Sequence, residues 1–483
     1  MTISNITSSL GNFEILSPEE QDQARKKTTG GVGWVPPHWI SHPVPADYDI
    51  STPPWIRPEA GAMSLVGVNV VDVESSKIHP SQTVKIKAGK IVSIEKSQFA
   101  HMQEDGWESI NAGGLYLSPG LIDVHTHITA VPATNPSAIF STNLADTALK
   151  TTYVLKGMLY RGFTTVRDVG GATRHYKEAT EQWLIPGPRI FQGGPVLSQS
   201  GGHGDDSDRD DISLRNGPHR GAEGYVADGV DECLRAARKL MMAGADHIKI
   251  CSSGGVASLT DKLDSEQFTV PEIKAICDTV RMMKGTLVTA HCFTSQGARN
   301  AIEGGIGGIE HGHLIDDDEV LKLMAKKGVH LTPTLIVQEL LARPPYNAII
   351  PPSSREKLKL VIDGGYKVIK RAHELGVNIA YGTDCFASMQ PCQLSEFDLR
   401  ATVLPSDVIL KQATINGAKV LGMEGKIGII KEGAAADLLI LSSNPLEDVT
   451  ILNKPLQYLK GVIKDGRVVK STVDGLRVEV PLV

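Results

Sequence analysis

Cysteine is scarce in this chain, with six in 483 residues, and none of Cys233, Cys251, Cys277, Cys292, Cys385 and Cys392 forms a closely spaced pair. This excludes a disulfide framework and a cysteine-based zinc knuckle. Positive charge is not in excess either: the net charge is −6, which argues against nucleic acid or an anionic membrane as the main partner. No apolar run reaches membrane-spanning length, and residues Met1 to Glu19 lack a charged segment followed by an apolar one. The expectation is a protein without a membrane partner, working in a reducing cytoplasm. A Gly-x-Gly-x-x-Gly opening a helix after the first strand is also missing, which argues against a doubly wound dinucleotide-binding sheet.

What is present suits a large catalytic domain with an accessory one. Hydrophobic residues make up 41% of the chain, with 48 glycines and 27 prolines, as in a loop-rich α/β enzyme with a sizeable core. The densest charge run, Asp205-Asp206-Ser207-Asp208-Arg209-Asp210-Asp211, lacks EF-hand spacing and reads as a solvated loop.

Texture changes along the chain define four segments. Residues 1–60 are rich in Ser, Pro, Gly and Trp and read as an irregular extension, with Trp34, Trp39 and Trp55 expected to pack on the body or on a neighbouring subunit. Residues 61–118 and 423–483 share a pattern of short strands and tight turns, including Asp465-Gly466, so both ends are expected to form one discontinuous β-sandwich domain. Residues 119–422 alternate short apolar strands with helical patterns. Eight strands are expected there: Leu121–Val124, Thr164–Asp168, Arg189–Gly193, His247–Ile250, Leu287–Ala290, Gly308–Glu310, His330–Thr334 and Asn378–Tyr381. The fold class is therefore α/β, a (β/α)8 TIM barrel carrying a small β-sandwich.

The chemistry begins at the first of these strands. Ser118-Pro119-Gly120-Leu121-Ile122-Asp123-Val124-His125-Thr126-His127 is an apolar strand ending in two histidines one residue apart. Alternation along a strand puts His125 and His127 on the same side, where one metal ion can take both. In a β/α barrel the C-terminal strand ends share one mouth. Those ends also carry Lys249, His291, His311 and Asp384. Four imidazoles and a carboxylate suit zinc or a similar divalent ion, and their excess over one tetrahedral site points to two metals. Lys249 is the odd member, because an ammonium among cations is repelled. Carboxylation of its amine by carbon dioxide removes the conflict and supplies an anionic bridge.

The motif Pro119-Gly120-Leu121-Ile122-Asp123-Val124-His125-Thr126-His127, with Lys249, His291, His311 and Gly382-Thr383-Asp384 in that order, resembles the metal-dependent amidohydrolase superfamily. Ala434-Ala435-Ala436-Asp437-Leu438 resembles its second β segment, so the likeness covers about residues 63 to 470. Within it, Ser200-Gly201-Gly202-His203-Gly204-Asp205 and Ile248-Lys249-Ile250-Cys251-Ser252-Ser253-Gly254-Gly255-Val256 resemble the imidodipeptidase, or Xaa-Pro dipeptidase-like, branch that includes fungal ochratoxinase. Carried over by position, the resemblance implies that His125, His127 and Asp384 hold one divalent metal, while His291 and His311 hold the other and carboxylated Lys249 bridges them. It implies a bridging hydroxide that attacks an amide carbonyl, with Asp384 passing the proton to the leaving nitrogen.

His203 is the candidate for contact with the substrate or its tetrahedral oxyanion, and His313 is expected in the loop after strand six. Cys292 and Cys385 sit next to expected ligands on strands and should pack behind the site. In the dipeptidase branch an aromatic residue often follows the strand-five histidine; here Cys292 holds that position. The expected activity is hydrolysis of an N-acyl amino acid or related small-molecule amide by a homo-oligomer with two zinc ions. The alternatives are a lactonase or cyclic-amide hydrolase on the same site, a decarboxylase, or a barrel that binds without turnover. Deamination fits less well, because His291 is followed by Cys292, Phe293 and Thr294 without the glutamate that family deaminases place three residues on.

Overall fold

The computed structural model describes residues 57, 59–97, 106–132, 143–205, 217–219, 224–258, 261–348, 350 and 354–480. The chain divides into two units, 1–58 and 59–483, and the second carries everything that follows. The tryptophans Trp34, Trp39 and Trp55 and most of the acidic run, from Asp206 to Asp211, lie outside the described residues.

The second unit opens with five strands, β1 (Met63–Asp72), β2 (Lys77–Lys87), β3 (Lys90–Lys96), β4 (Glu108–Asn111) and β5 (Tyr116–Pro119). Ten more follow: β6 (Leu121–Thr126), β7 (Phe163–Asp168), β8 (Arg189–Gln192), β9 (Val196–Ser198), β10 (Gly217–His219), β11 (Gly224–Val226), β12 (Ile248–Cys251), β13 (Val288–Thr294), β14 (Gly308–Leu314) and β15 (His330–Thr332). The last three are β16 (Leu438–Leu441), β17 (Leu459–Lys464) and β18 (Arg467–Ser471).

Both ends of the unit meet in one eight-stranded sheet of order β18-β17-β16-β5-β1-β2-β3, with β4 also on β1. Hydrogen bonding thus links the strands of both ends, which the sequence assigns to one discontinuous β-sandwich domain, into one continuous sheet. The cause lies in β1, whose first half pairs with β4 and whose second half pairs with β5. Between these halves the β1–β2 register shifts at Leu65/Val68 and again at Val68/Val70. Gly67 (φ +79°) sits in this bulge, and a Cβ there would lie 3.1 Å from the Gly113 Cα. Leu65, Val84, Ile86, Leu117, Leu438, Ile440 and Ile463 then converge in one core.

The remaining strands are parallel except for β10 on β11. They form a three-stranded sheet, β6-β7-β8, and a seven-stranded one, β10-β11-β9-β12-β13-β14-β15. Helices lie between β6 and β7, between β7 and β8, and between each successive pair from β11 to β15. In the helix Val230–Met242 the buried residues are Cys233, Ala236, Ala237 and Leu240, the spacing of a helix lying on a sheet. The helix Val270–Met282 starts at a capping box made by Thr269 and Glu272. Where Asn378–Tyr381 was expected as the eighth strand, Ile379 makes a single parallel bridge to Leu331. Backbone hydrogen bonds flank that segment on both sides, from Ala380 N–H to Leu331 O (2.9 Å) and from Val124 N–H to Tyr381 O (2.9 Å). The arrangement is of TIM-barrel type with an additional sheet. No helix among the described residues is long and apolar enough to cross a membrane.

Candidate metal centre

Five of the six expected ligands lie in or directly after parallel strands, and Asp384 follows the segment bridged at Ile379. His125 is the fifth residue of β6, and His127 follows its last residue. Lys249 lies in β12, His291 in β13 and His311 in β14. Asp384 is anchored to the first strand by its own N–H, which donates to the His125 carbonyl at 2.8 Å. The structure brings His125, His127 and Asp384 together, with one ligand atom from each lying within 4.8 Å of the others. The His125 and His127 Nε2 atoms are 3.4 and 3.3 Å from Asp384 Oδ1. His311 adjoins the same group at 5.0 Å between ring centroids from His125, and His291 adjoins His311 at 4.6 Å. His203 stacks on His291 at 4.0 Å.

The nitrogens turned away from this cluster are engaged. His125 Nδ1 meets Glu310 Oε2 at 2.7 Å, His127 Nδ1 meets the Gly170 carbonyl at 3.1 Å, and His311 Nδ1 meets Thr334 Oγ1 at 2.8 Å. His291 Nε2 meets the Gly254 carbonyl at 3.3 Å. A carbonyl or carboxylate only accepts, so in their neutral forms His125 and His127 carry the proton on Nδ1 and point the Nε2 lone pair at Asp384. Lone pairs facing a carboxylate at 3.3–3.4 Å require a positive charge between them. A proton meets the need in part: burial alone would lower the His127 pKa, but Asp384 outweighs it and holds the imidazole at about 9. A divalent cation meets it for both histidines at once, so the donor set fits a metal.

The other charges follow the same logic. Burial disfavours the Asp384 carboxylate, yet His125 and His127 hold it well below the usual range. Burial pushes His291 and His311 well below the ordinary histidine value, aided for His291 by neighbouring His203 and for His311 by His125. Both imidazoles are thus neutral and able to ligate. Burial also lowers the Lys249 pKa, against the pull of Glu310, Cys251 and Asp384. Three side chains keep an open edge, His127 at 21%, Asp384 at 16% and His203 at 19% exposure, so the cluster opens to solvent on their side.

Several participants were not legible from the strand pattern. Glu310 is fully buried and collects His125 Nδ1–H, Arg167 Nη2–H and Thr289 Oγ1–H. Alternation predicts that Glu310 and His311 leave on opposite faces. His311, however, has φ +69°, and the β13–β14 register shifts beyond it, so both side chains reach the His125 ring. His313, expected in a loop, lies within β14 and is buried, with Nδ1 3.1 Å from the Val361 carbonyl. Behind His203, Nδ1 is 2.8 Å from Ser258 Oγ, whose hydroxyl donates to Asp261. Cys292 packs into the main core and Cys385 into a smaller one beside the mouth. The aromatic side chain near the strand-five histidine is Phe293, whose ring is 5.1 Å from His291 and stacks on His311 at 5.0 Å.

Comparison with known proteins agrees with this geometry. The model of the amidohydrolase family matches residues 116–469. The ochratoxinase of Aspergillus niger is 30% identical over 373 residues, covering 74% of this chain and 76% of the relative. A solved prolidase in complex with N-methylphosphonate-L-proline superposes with a TM-score of 0.79 at 34% identity, covering 85% of this chain and all of that one. A Xaa-Pro dipeptidase with methionine bound in its active site gives 0.76 at 27% identity, again over 85% and 100% of the two chains. The chain belongs to the amidohydrolase family, in its imidodipeptidase- and ochratoxinase-like branch, and is a hydrolase acting on carbon–nitrogen bonds.

Proposed function

We propose that this protein is a dinuclear, zinc-dependent amide hydrolase acting on N-acyl amino acids or related amides. The observation that carries the reading is the Asp384 carboxylate facing the Nε2 atoms of His125 and His127, whose Nδ1 atoms are already taken. His125, His127 and Asp384 would hold one ion, His291 and His311 the other, with Lys249 between them as a carboxylated bridge. The burial that lowers the Lys249 pKa favours the free amine, the form that adds carbon dioxide. When bound, the two ions supply an acidic water and an electrophile for the carbonyl oxygen. We also read the parallel strands as a closed (β/α)8 ring, supported by the Val124–Tyr381 and Ala380–Leu331 hydrogen bonds.

Asp384 is the proton carrier. It is ionised before reaction and partly open to the mouth, so it can accept a proton from the attacking water and deliver it to the departing nitrogen. His203 faces the substrate. Because Ser258 spends its only proton on Asp261, neutral His203 donates through Nδ1 and offers an Nε2 lone pair. Burial lowers the His203 pKa against the pull of Asp261, whose Oδ2 lies at 3.7 Å. The neutral imidazole thus meets the substrate through its Nε2 lone pair and donates to a developing oxyanion only after taking up a proton during the reaction. The His291 ring, stacked on His203, continues the same wall to His311, with Phe293 against both.

The test is elemental analysis and intact mass of the purified chain, followed by a screen of N-acyl amino acids and Xaa-Pro dipeptides. Two metals per chain, a carboxyl adduct on Lys249 and release of a free amino acid are expected. A single metal with unmodified Lys249 would sink the dinuclear reading. Turnover of lactones or cyclic amides, with linear amides untouched, would replace the substrate class.

A further inference from the structure

The four imidazoles of the centre are not supported equally. His127 and His291 rest on neutral backbone carbonyls, and His311 rests on a threonine hydroxyl. Only His125 among them rests on a carboxylate. Glu310 is kept in place by two further donors on its other oxygen, Arg167 Nη2 and Thr289 Oγ1. Arg167 is itself buried and tied down by a bond from Nε to the Val124 carbonyl, one residue before His125. The same strand therefore feels Glu310 twice, through the His125 ring and through Arg167 on its backbone.

A fully buried ion pair adds little net stability over an apolar replacement, so stability is a weak reason for its presence. Orientation is a stronger one. A carboxylate behind an imidazole fixes its tautomer and raises its basicity toward a metal, more than a carbonyl or hydroxyl does. We propose that Glu310, braced by Arg167 and Thr289, is a positioning residue for His125, and that it sets the order of metal uptake: the site at His125, His127 and Asp384 fills first and more tightly, and the site at His291 and His311 fills second. The filling order rests on the dinuclear reading above; the role of Glu310 behind His125 does not.

The experiment is zinc titration of the chelator-stripped full chain against a chromophoric competitor, repeated with cobalt to record its visible absorption. Wild type is expected to take metal in two resolved steps. Glu310→Gln keeps the shape but removes the charge. It should weaken the tighter step about 10–100-fold and change the absorption of the first cobalt equivalent, leaving the second step in place. Glu310→Asp should recover part of the loss, and Thr334→Val should move only the weaker step. An unchanged tight step in a Glu310→Gln chain with wild-type circular dichroism would overturn the proposal. If that variant does not fold, Thr289→Val takes its place, because it removes one brace and no charge; a smaller weakening of the tight step is then expected, and none at all counts against the proposal. Uptake of a single equivalent by wild type would overturn the filling order and the two-metal reading together. The response of that one step to Glu310→Gln would still decide whether Glu310 supports His125.

Discussion

The eight-stranded sheet and the mouth of the barrel are both buried, and they are buried for opposite reasons. In the sheet, Leu438, Leu439, Ile440 and Leu441 are all removed from water, as are Leu65, Val84 and Ile463. Each such side chain contributes roughly 1.5–3 kcal/mol of hydrophobic stabilisation. In the mouth, the groups removed from water are Asp123, His125, Lys249, His291, Glu310 and His311. Burying these costs free energy unless each finds a partner, and hydrogen bonds hold Asp123, His125, His291, Glu310 and His311. Asp123, for example, accepts from the His125 and Thr383 backbone N–H groups, the Thr383 hydroxyl and the Gln393 amide. Non-glycine residues with left-handed backbone, His311 (φ +69°) and Asp384 (φ +54°), also sit at the mouth. Strain of this kind persists where surrounding structure imposes it, and here it aims ligands. The sheet holds the fold; the mouth is held by it.

Substitutions in the two regions should therefore separate activity from stability. Asp384→Asn is expected to lower kcat about 10²–10⁴-fold, measured with excess metal, while the melting temperature stays close to wild type. Leu438→Ala should do the reverse, losing about 2–5 kcal/mol of unfolding free energy in denaturant titration with kcat unchanged. A large loss of kcat in folded Leu438→Ala protein would show that the two regions are not separable in this way.

Proton binding sharpens the contrast, because the mouth holds an imidazole whose pKa is strongly raised. In the metal-free protein, Asp384 raises the His127 pKa from the ordinary 6.5 to about 9. A group whose pKa rises on folding stabilises fully below its unfolded value and loses that contribution as pH climbs through its folded value. The chelated protein should thus lose stability between about pH 6.5 and pH 9, by at most on the order of 3 kcal/mol. Melting curves at pH 6, 7.5 and 9.5 check this, and the loss should vanish in His127→Gln.

How much of this was legible in the sequence depended on whether alternation held. It held along β6, where His125 and His127 both turn to Asp384, and along β13, where His291 adjoins His311 while Cys292 packs into the main core. It failed on β14, where the left-handed turn at His311 sends Glu310 and His311 to the same ring and keeps His313 in the strand. No glycine at position 311 signals that turn, so periodicity alone could not find it. The supporting groups Arg167, Thr334, Ser258 and Asp261 come from distant parts of the chain. Their types are ordinary, and only folding brings them behind their histidines. The discontinuous sheet was visible as similar texture at both ends, but its single-sheet pairing depends on the bulge in β1.

The smallest expected effect concerns Arg343, a cation just beyond the helix Leu335–Leu341. Its side chain is 70% exposed and its Nη2 lies 2.6 Å from Glu339 Oε2, while the other Glu339 oxygen accepts from the Tyr366 hydroxyl. An exposed pair one helical turn apart contributes little to stability, and a guanidinium already matched to a carboxylate gains little from a second. Arg343→Ala is expected to leave KM within about two-fold of wild type and stability within about 0.5 kcal/mol. Steady-state kinetics on an N-acyl amino acid decides it. A ten-fold or larger rise in KM at constant kcat is the mark of lost binding shared by ground and transition states, and it would move Arg343 from the solvated rim into the substrate site.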